Sequence, residues 1–175
     1  KLTAWEVELA ESTDQSIKEV LTYQKSEANQ EFCKFVRRNY YNWINKRSDD
    51  TPVMSHTLMR TNIFPVVDEN PKTTLLLIDN FRYDQWRSIS SLLRGWYDVA
   101  QDDFYCALLP TATQYARNAV FAGLMPLAID RLMPNKWLND NEEGGKNQYE
   151  EEFLKRLMSQ NGKNWKFSFA KLVRP

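Results

Sequence analysis

The sequence predicts an α/β fold, a helical N-terminal extension followed by a parallel sheet covered by helices. Three observations carry that expectation. Residues 1 to about 47 repeat apolar side chains at steps of three and four, the helical period. Thr73–Ile78 (TTLLLI) is a continuous apolar run, the pattern of a strand buried on both faces. From residue 73 to residue 122 strand-like and helix-like stretches alternate, which implies parallel strands joined by crossover helices.

Taken in order, Leu2, Trp5 and Leu9 begin the helical region, and Ser12-Thr13-Asp14 forms a break or a new N-cap before Ile17, Val20 and Leu21 resume it. A second stripe, Phe32, Phe35, Val36, Tyr40, Trp43 and Ile44, is expected to face a core. Arg37, Arg38, Lys46 and Arg47 around its aromatics could alternatively form a basic-aromatic nucleic-acid patch. Ser48-Asp49-Asp50-Thr51-Pro52 then breaks the chain, dividing it into a helical segment over 1–50 and a second domain over 51–175. Met54–Val67 reads as a short helix and a lead-in strand. Thr73–Ile78 reads as the first main strand, Arg82–Trp96 as a helix, and Asp103–Leu109 as the second strand, stopped by Pro110. Thr113–Ala122 is a helix closed by Gly123. Two short helices near Leu127–Met133 and Gln148–Gln160 and a final strand over Trp165–Phe169 complete the expectation.

Composition excludes several classes of function. Lys plus Arg equals Asp plus Glu at 23 each, so the chain lacks the basic surface of a general nucleic-acid coat protein. The longest aliphatic run, Leu75–Ile78, is far short of the ~20 residues that span a bilayer, so no membrane insertion is expected. Five glycines form no phosphate-binding loop. Cys33 and Cys106 stand apart with no CxxC, which reads as buried, reduced thiols and a cytoplasmic protein. His56, the single histidine, reads as a cap neighbour or a core residue rather than a metal ligand.

Ligands of parallel α/β sheets bind beyond the carboxyl ends of the strands. Asp79 and Asn80 are expected at the end of the first strand, and Thr111 and Thr113 at the end of the second, where a helix begins. A strand-end Asp suits a cation, and a hydroxyl at a helix N-terminus sits in positive partial charge that favours an alkoxide and an attacked phosphate. The same residues can instead cap helices, and spacing leaves both uses open.

LLLIDNFRYDQW (75–86) followed by LLPTATQYARNAVFAGLMP (108–126) closely resembles the PglZ domain, a branch of the alkaline phosphatase superfamily. The flanks, including NKWLNDNEEGGKNQYEEEF (135–153), resemble the PorX-type response regulators of the type IX secretion system, which carry a receiver domain, a helical middle segment and a PglZ output domain. The resemblance implies an alkaline-phosphatase-like sheet and a phosphohydrolase with two metals, usually zinc. By that pattern Asp79 would be a metal ligand and Thr113 the nucleophile, also touching a metal. Thr113 is favoured over Thr111 because the superfamily's phosphodiesterases place their nucleophile at the second threonine of a block that here reads Pro110-Thr111-Ala112-Thr113. Asn80, Arg82 and Arg117 are candidate contacts to phosphate or base, although both arginines would serve equally as outward helix residues. A nucleotide-type phosphodiester substrate, a homodimeric parent, and a histidine kinase and secretion-gene regulators as partners follow from the resemblance alone.

One departure from the pattern is large. The family's remaining ligands come from later Asp and His residues, including an Asp-His pair, which this sequence lacks. The expectation is therefore a fragment, the helical middle segment and the N-terminal half of a PglZ domain, with two incomplete zinc sites and no activity of its own. A non-catalytic signalling or dimerisation module on a phosphatase fold is the alternative.

Overall fold

Asp14 opens the longest helix: its Oδ1 accepts the backbone N–H groups of Ser16 (2.9 Å) and Ile17 (3.3 Å), which satisfies donors that the first turn leaves free. This computed structural model describes residues 2–9, 12–45, 49–139 and 141–172. Its helices are α1 (Leu2–Glu8), α2 (Gln15–Asn45), α3 (Phe64–Glu69), α4 (Tyr83–Leu93), α5 (Thr113–Ala122), α6 (Pro126–Leu132) and α7 (Glu150–Gln160). A π-helical turn, Met59–Ile63, leads into α3, and a 3₁₀ turn, Pro134–Lys136, follows α6. The expected capping break before Ile17 is thus realised. Lys46, Arg47 and Ser48, which belong to the expected basic patch and chain break, lie outside the described residues.

The expected parallel sheet is not formed: the described residues are helical or irregular. The Leu75–Ile78 run is irregular chain with its side chains in solvent, Leu76 at 79% exposure and Ile78 at 60%. Four consecutive aliphatics become a strand only when neighbours take up their backbone N–H and C=O groups and cover both faces. Among the described residues nothing does so. The Asp103–Leu109 segment pairs briefly, and with an unexpected partner. Cys106 N–H donates to the Val53 carbonyl (2.8 Å), and Ser55 N–H donates to the Cys106 carbonyl (3.2 Å), a single parallel bridge centred on Met54 and Cys106. The lead-in strand expected near Val67 is instead α3, because Pro65 falls in its first turn, where a missing N–H costs nothing. Trp165–Phe169 is likewise not a strand. It lies as irregular chain against helices, Trp165 edge-on to Phe64 (5.3 Å between centroids) and Phe169 edge-on to Phe121 (5.9 Å).

The chain forms two compact units, one of residues 1–51 and 75–103, the other of residues 52–74 and 104–175. In the first, α1 packs on α2 and α4, and a Lys25–Glu6 ion pair joins α1 to α2. Neither α1 nor α2 contains a buried residue, so the Phe32/Phe35 stripe does not face a core as expected: these rings are 59% and 50% exposed and lie against each other. Cys33, on the same helix, is exposed rather than buried.

The second unit carries the core. Met59, Phe64, Val120, Phe121, Ile129, Phe153, Leu157 and Met158 are buried in one cluster, to which α5 and α7 contribute most of the side chains. Gly123 ends α5 in the left-handed conformation (φ +62°), which a residue without Cβ adopts freely. Arg60 donates to the Gly123 carbonyl (2.9 Å), putting a cation where the α5 dipole is negative.

Candidate active site

Block 110–113 enters α5 after a cis Leu109–Pro110 peptide. Ala112 occupies the N-cap position, and its methyl group offers no oxygen to the first-turn N–H groups. Neither threonine therefore caps this helix. Thr113 is its first residue, half-buried, and Thr111 is exposed. The Ala112 carbonyl accepts from Tyr115 N–H and Ala116 N–H (both 3.0 Å), so the helical bonding begins one turn beyond Thr113. A hydroxyl in that place lies within the positive end of the helix dipole.

The path to this block is held by a residue the sequence reading did not single out. Ser55 is fully buried, and its hydroxyl accepts the Leu108 N–H (3.0 Å). With the Met54–Cys106 bridge it fixes the chain two residues before Pro110. Thr57 completes the turn: its hydroxyl accepts Met54 N–H at 2.9 Å. His56 between them is half-buried.

Arg117 lies four residues after Thr113, on the same face of α5. It is engaged by Glu150, the first residue of α7, whose side chain is 1% exposed. The Arg117 Nε and the Glu150 Oε1 form an ion pair, and Nη2 donates to Oε2 (3.2 Å). Lys171 Nζ stands 3.4 Å from Oε2, and Asn147 Nδ2 donates to Oε1 (3.2 Å). Glu150, too, went unnoticed in the sequence, where it reads as one of three acids opening a helix. The available signal was its register: Glu150, Phe153 and Leu157 follow the step of three and four that places them on one helix face.

The remaining candidates belong to the other unit. Asp79 and Asn80 form a turn, with Asp79 Oδ1 accepting Asn80 N–H (3.1 Å) and Asn80 at φ +54°, a conformation Asn tolerates better than most residues. Asp79 does not cap α4: that N-cap is Arg82, whose N–H donates to Gln85 Oε1 (2.9 Å). The Arg82 guanidinium is held by Asp84 through Nε (3.0 Å) and Nη2 (2.9 Å), and this neighbour keeps the Asp84 carboxyl below the usual carboxylate range. Asp79, Asn80 and Arg82 thus share one unit, and Thr113 and Arg117 share the other.

Helix α5 thus presents Thr113 behind an N-cap without a capping group, in a chain that opens with the helices α1 and α2. Residues 58–174 match the BREX system PglZ alkaline phosphatase-like domain, and the chain belongs to that family. Residues 1–44 match the PorX response regulator linker domain, so a PorX-type linker precedes the phosphatase-like region. No curated protein matches the chain.

Alkaline phosphatase-like proteins are typically metal-dependent. A zinc site needs three or four converging His, Cys, Asp or Glu donors. Among the described residues no group of three such side chains converges. These residues by themselves do not fit a two-metal centre.

Proposed function

We propose that the chain is the linker and output region of a two-component response regulator controlling type IX secretion, and that its phosphatase-like part hydrolyses nucleotide-type phosphodiesters with Thr113 as nucleophile. The observation that carries this reading is Thr113 at the first position of α5 behind an N-cap, Ala112, that has no capping group. In the proposed step Thr113 Oγ1 attacks phosphorus in line. The Oγ1–P bond forms as one ester P–O bond breaks, the hydroxyl proton leaving with the departing alcohol, and water then releases the remaining phosphate monoester and restores the threonine hydroxyl. The positive end of the α5 dipole favours negative charge on the phosphoryl oxygens. A cytoplasmic location and signalling partners, a histidine kinase and secretion-gene regulators, belong to the same proposal.

A second reading, a dimerisation or binding module, is favoured by one observation. Helix α2 buries none of its 31 residues and exposes Val20, Tyr23, Phe32, Phe35 and Tyr41. Thr113→Ala in the intact response regulator separates the two readings. Loss of a nucleophile is expected to lower diester hydrolysis by about a thousandfold or more. Signalling that survives this loss makes binding a separate output, and signalling lost with it makes catalysis the output. Hydrolysis unchanged in the variant removes Thr113 as nucleophile.

A further inference from the structure

We infer that Glu150 is a positioning residue, holding Arg117 and through it the start of α5 that carries Thr113; this rests on the reading of Thr113 as nucleophile. Glu150 is a carboxylate at 1% exposure on the α7 face that also buries Phe153 and Leu157. Burying a carboxylate is costly unless it is paired and hydrogen-bonded, and here both oxygens are engaged. Two contacts come from Arg117, one from Lys171 and one from Asn147. Arg117 is 17% exposed, so its cation is also largely withdrawn from water. The pair fixes the α5 residue one helical turn after Thr113, and a long helical side chain leans toward the helix N-terminus. It therefore sets both the rotation of the turn bearing Thr113 and the place of a guanidinium beneath that turn.

The same α5 residues have a second anchor. Asn118, 1% exposed, donates its Nδ2 to the Lys146 carbonyl (2.9 Å), tying α5 to the chain that leads into Glu150. Lys171 reaches the Asn147 carbonyl as well (3.0 Å). Arg117 and Asn118 are thus consecutive attachments of α5 to one stretch, 146–150. A guanidinium ion-paired with a buried carboxylate and hydrogen-bonded to it through Nη2 is committed to that partner. A residue misplaced by ~1 Å from its productive geometry can cost ~100-fold in rate.

The test is made on the intact response regulator with Glu150→Gln, Glu150→Asp, and the charge exchange Arg117→Glu with Glu150→Arg. Two readouts are taken: amide hydrogen exchange over residues 113–118, and kcat and KM for bis(p-nitrophenyl) phosphate. Glu150→Gln is expected to speed exchange over that stretch about tenfold while leaving α6 protected. It is expected to lower kcat about 100-fold with KM nearly unchanged. Glu150→Asp recovers part of both. The charge exchange recovers protection but not kcat, since it places a carboxylate beneath Thr113. Unchanged exchange in Glu150→Gln overturns the positioning of α5. Recovery of kcat in the charge exchange also overturns it, because the pair then only fills and neutralises the core. If exchange speeds while kcat holds, Thr113→Ala decides: a kcat that also survives that change removes the nucleophile reading, and a kcat lost there removes the role of Glu150. Should the wild-type protein not turn over this diester, exchange alone decides the positioning.

Discussion

Cys106 and Cys33 show how one residue type takes two characters from its surroundings. Partial burial raises the Cys106 thiol above its ordinary value, so at neutral pH it remains protonated and a poor nucleophile. Its backbone is committed to Val53 and Ser55, whereas Cys33 stands exposed on α2. Alkylation with a maleimide near neutral pH should modify Cys33 well before Cys106, as read by peptide mass spectrometry. Asp84 gives a second measurable consequence. Its carboxyl is held down by Arg82, so the support it gives the first turn of α4 is present above the ordinary Asp value and is lost as pH falls through the lowered one. Arg82 is exposed and Asp84 half-buried at the surface, so the effect is small and weakens with added salt. A titration of the Asp84 carboxyl by NMR at low and high salt, showing a midpoint below the ordinary value that rises with salt, checks it. The sequence shows the Arg82–Asp84 pair because its members are two residues apart. It hides Arg117–Glu150, whose members are 33 apart and meet only when α7 folds against α5.

Among the elements, α5 was legible to the residue because its stop signals are local: Pro110 before it, Gly123 at its end, and an apolar period between. The strands were not legible, because a strand depends on ladder partners that its own residues do not specify. The same run of leucines reads alike whether covered or bare. Thr113 was visible as a hydroxyl at a helix start, but spacing could not tell capping from chemistry; the structure places Ala112, not Thr113, at the N-cap. The α5–α7 contact should be the most sensitive part of the second unit. Leu157 is fully buried, and Leu157→Ala should cost about 2–5 kcal/mol in chemical denaturation. Gly123→Ala should cost about 1–3 kcal/mol, since alanine must adopt a left-handed φ and its methyl would run into the Leu157 side chain.

Across the whole molecule, charge and surface act together. Equal numbers of acids and bases put the isoelectric point near 6.8. Leu76, Ile78, Leu92, Trp96 and Phe104 are all at least 60% exposed. With apolar surface bare and net repulsion absent, the chain should be least soluble near neutral pH and recover by about pH 8.5, where a net negative charge develops. Turbidity measured across that range tests this. Among the described residues no helix is long and apolar enough to cross a membrane, so these side chains do not form a helical span. The linkage of the two units has a further outcome. The chain visits them alternately, 1–51, 52–74, 75–103 and 104–175, so each unit is assembled from two separated stretches and no single cut sets either one free. Severed within 75–103, the second unit would still have both its parts, joined by contacts that include the Met54–Cys106 bridge, the Ser55–Leu108 and Arg60–Gly123 hydrogen bonds, the Lys163–Asp68 ion pair and the shared core around Phe64 and Phe121. The protein is thereby a natural candidate for split-fragment complementation: peptides 1–74 and 104–175, each fused to half of a reporter, would regain signal through the contacts of this unit alone.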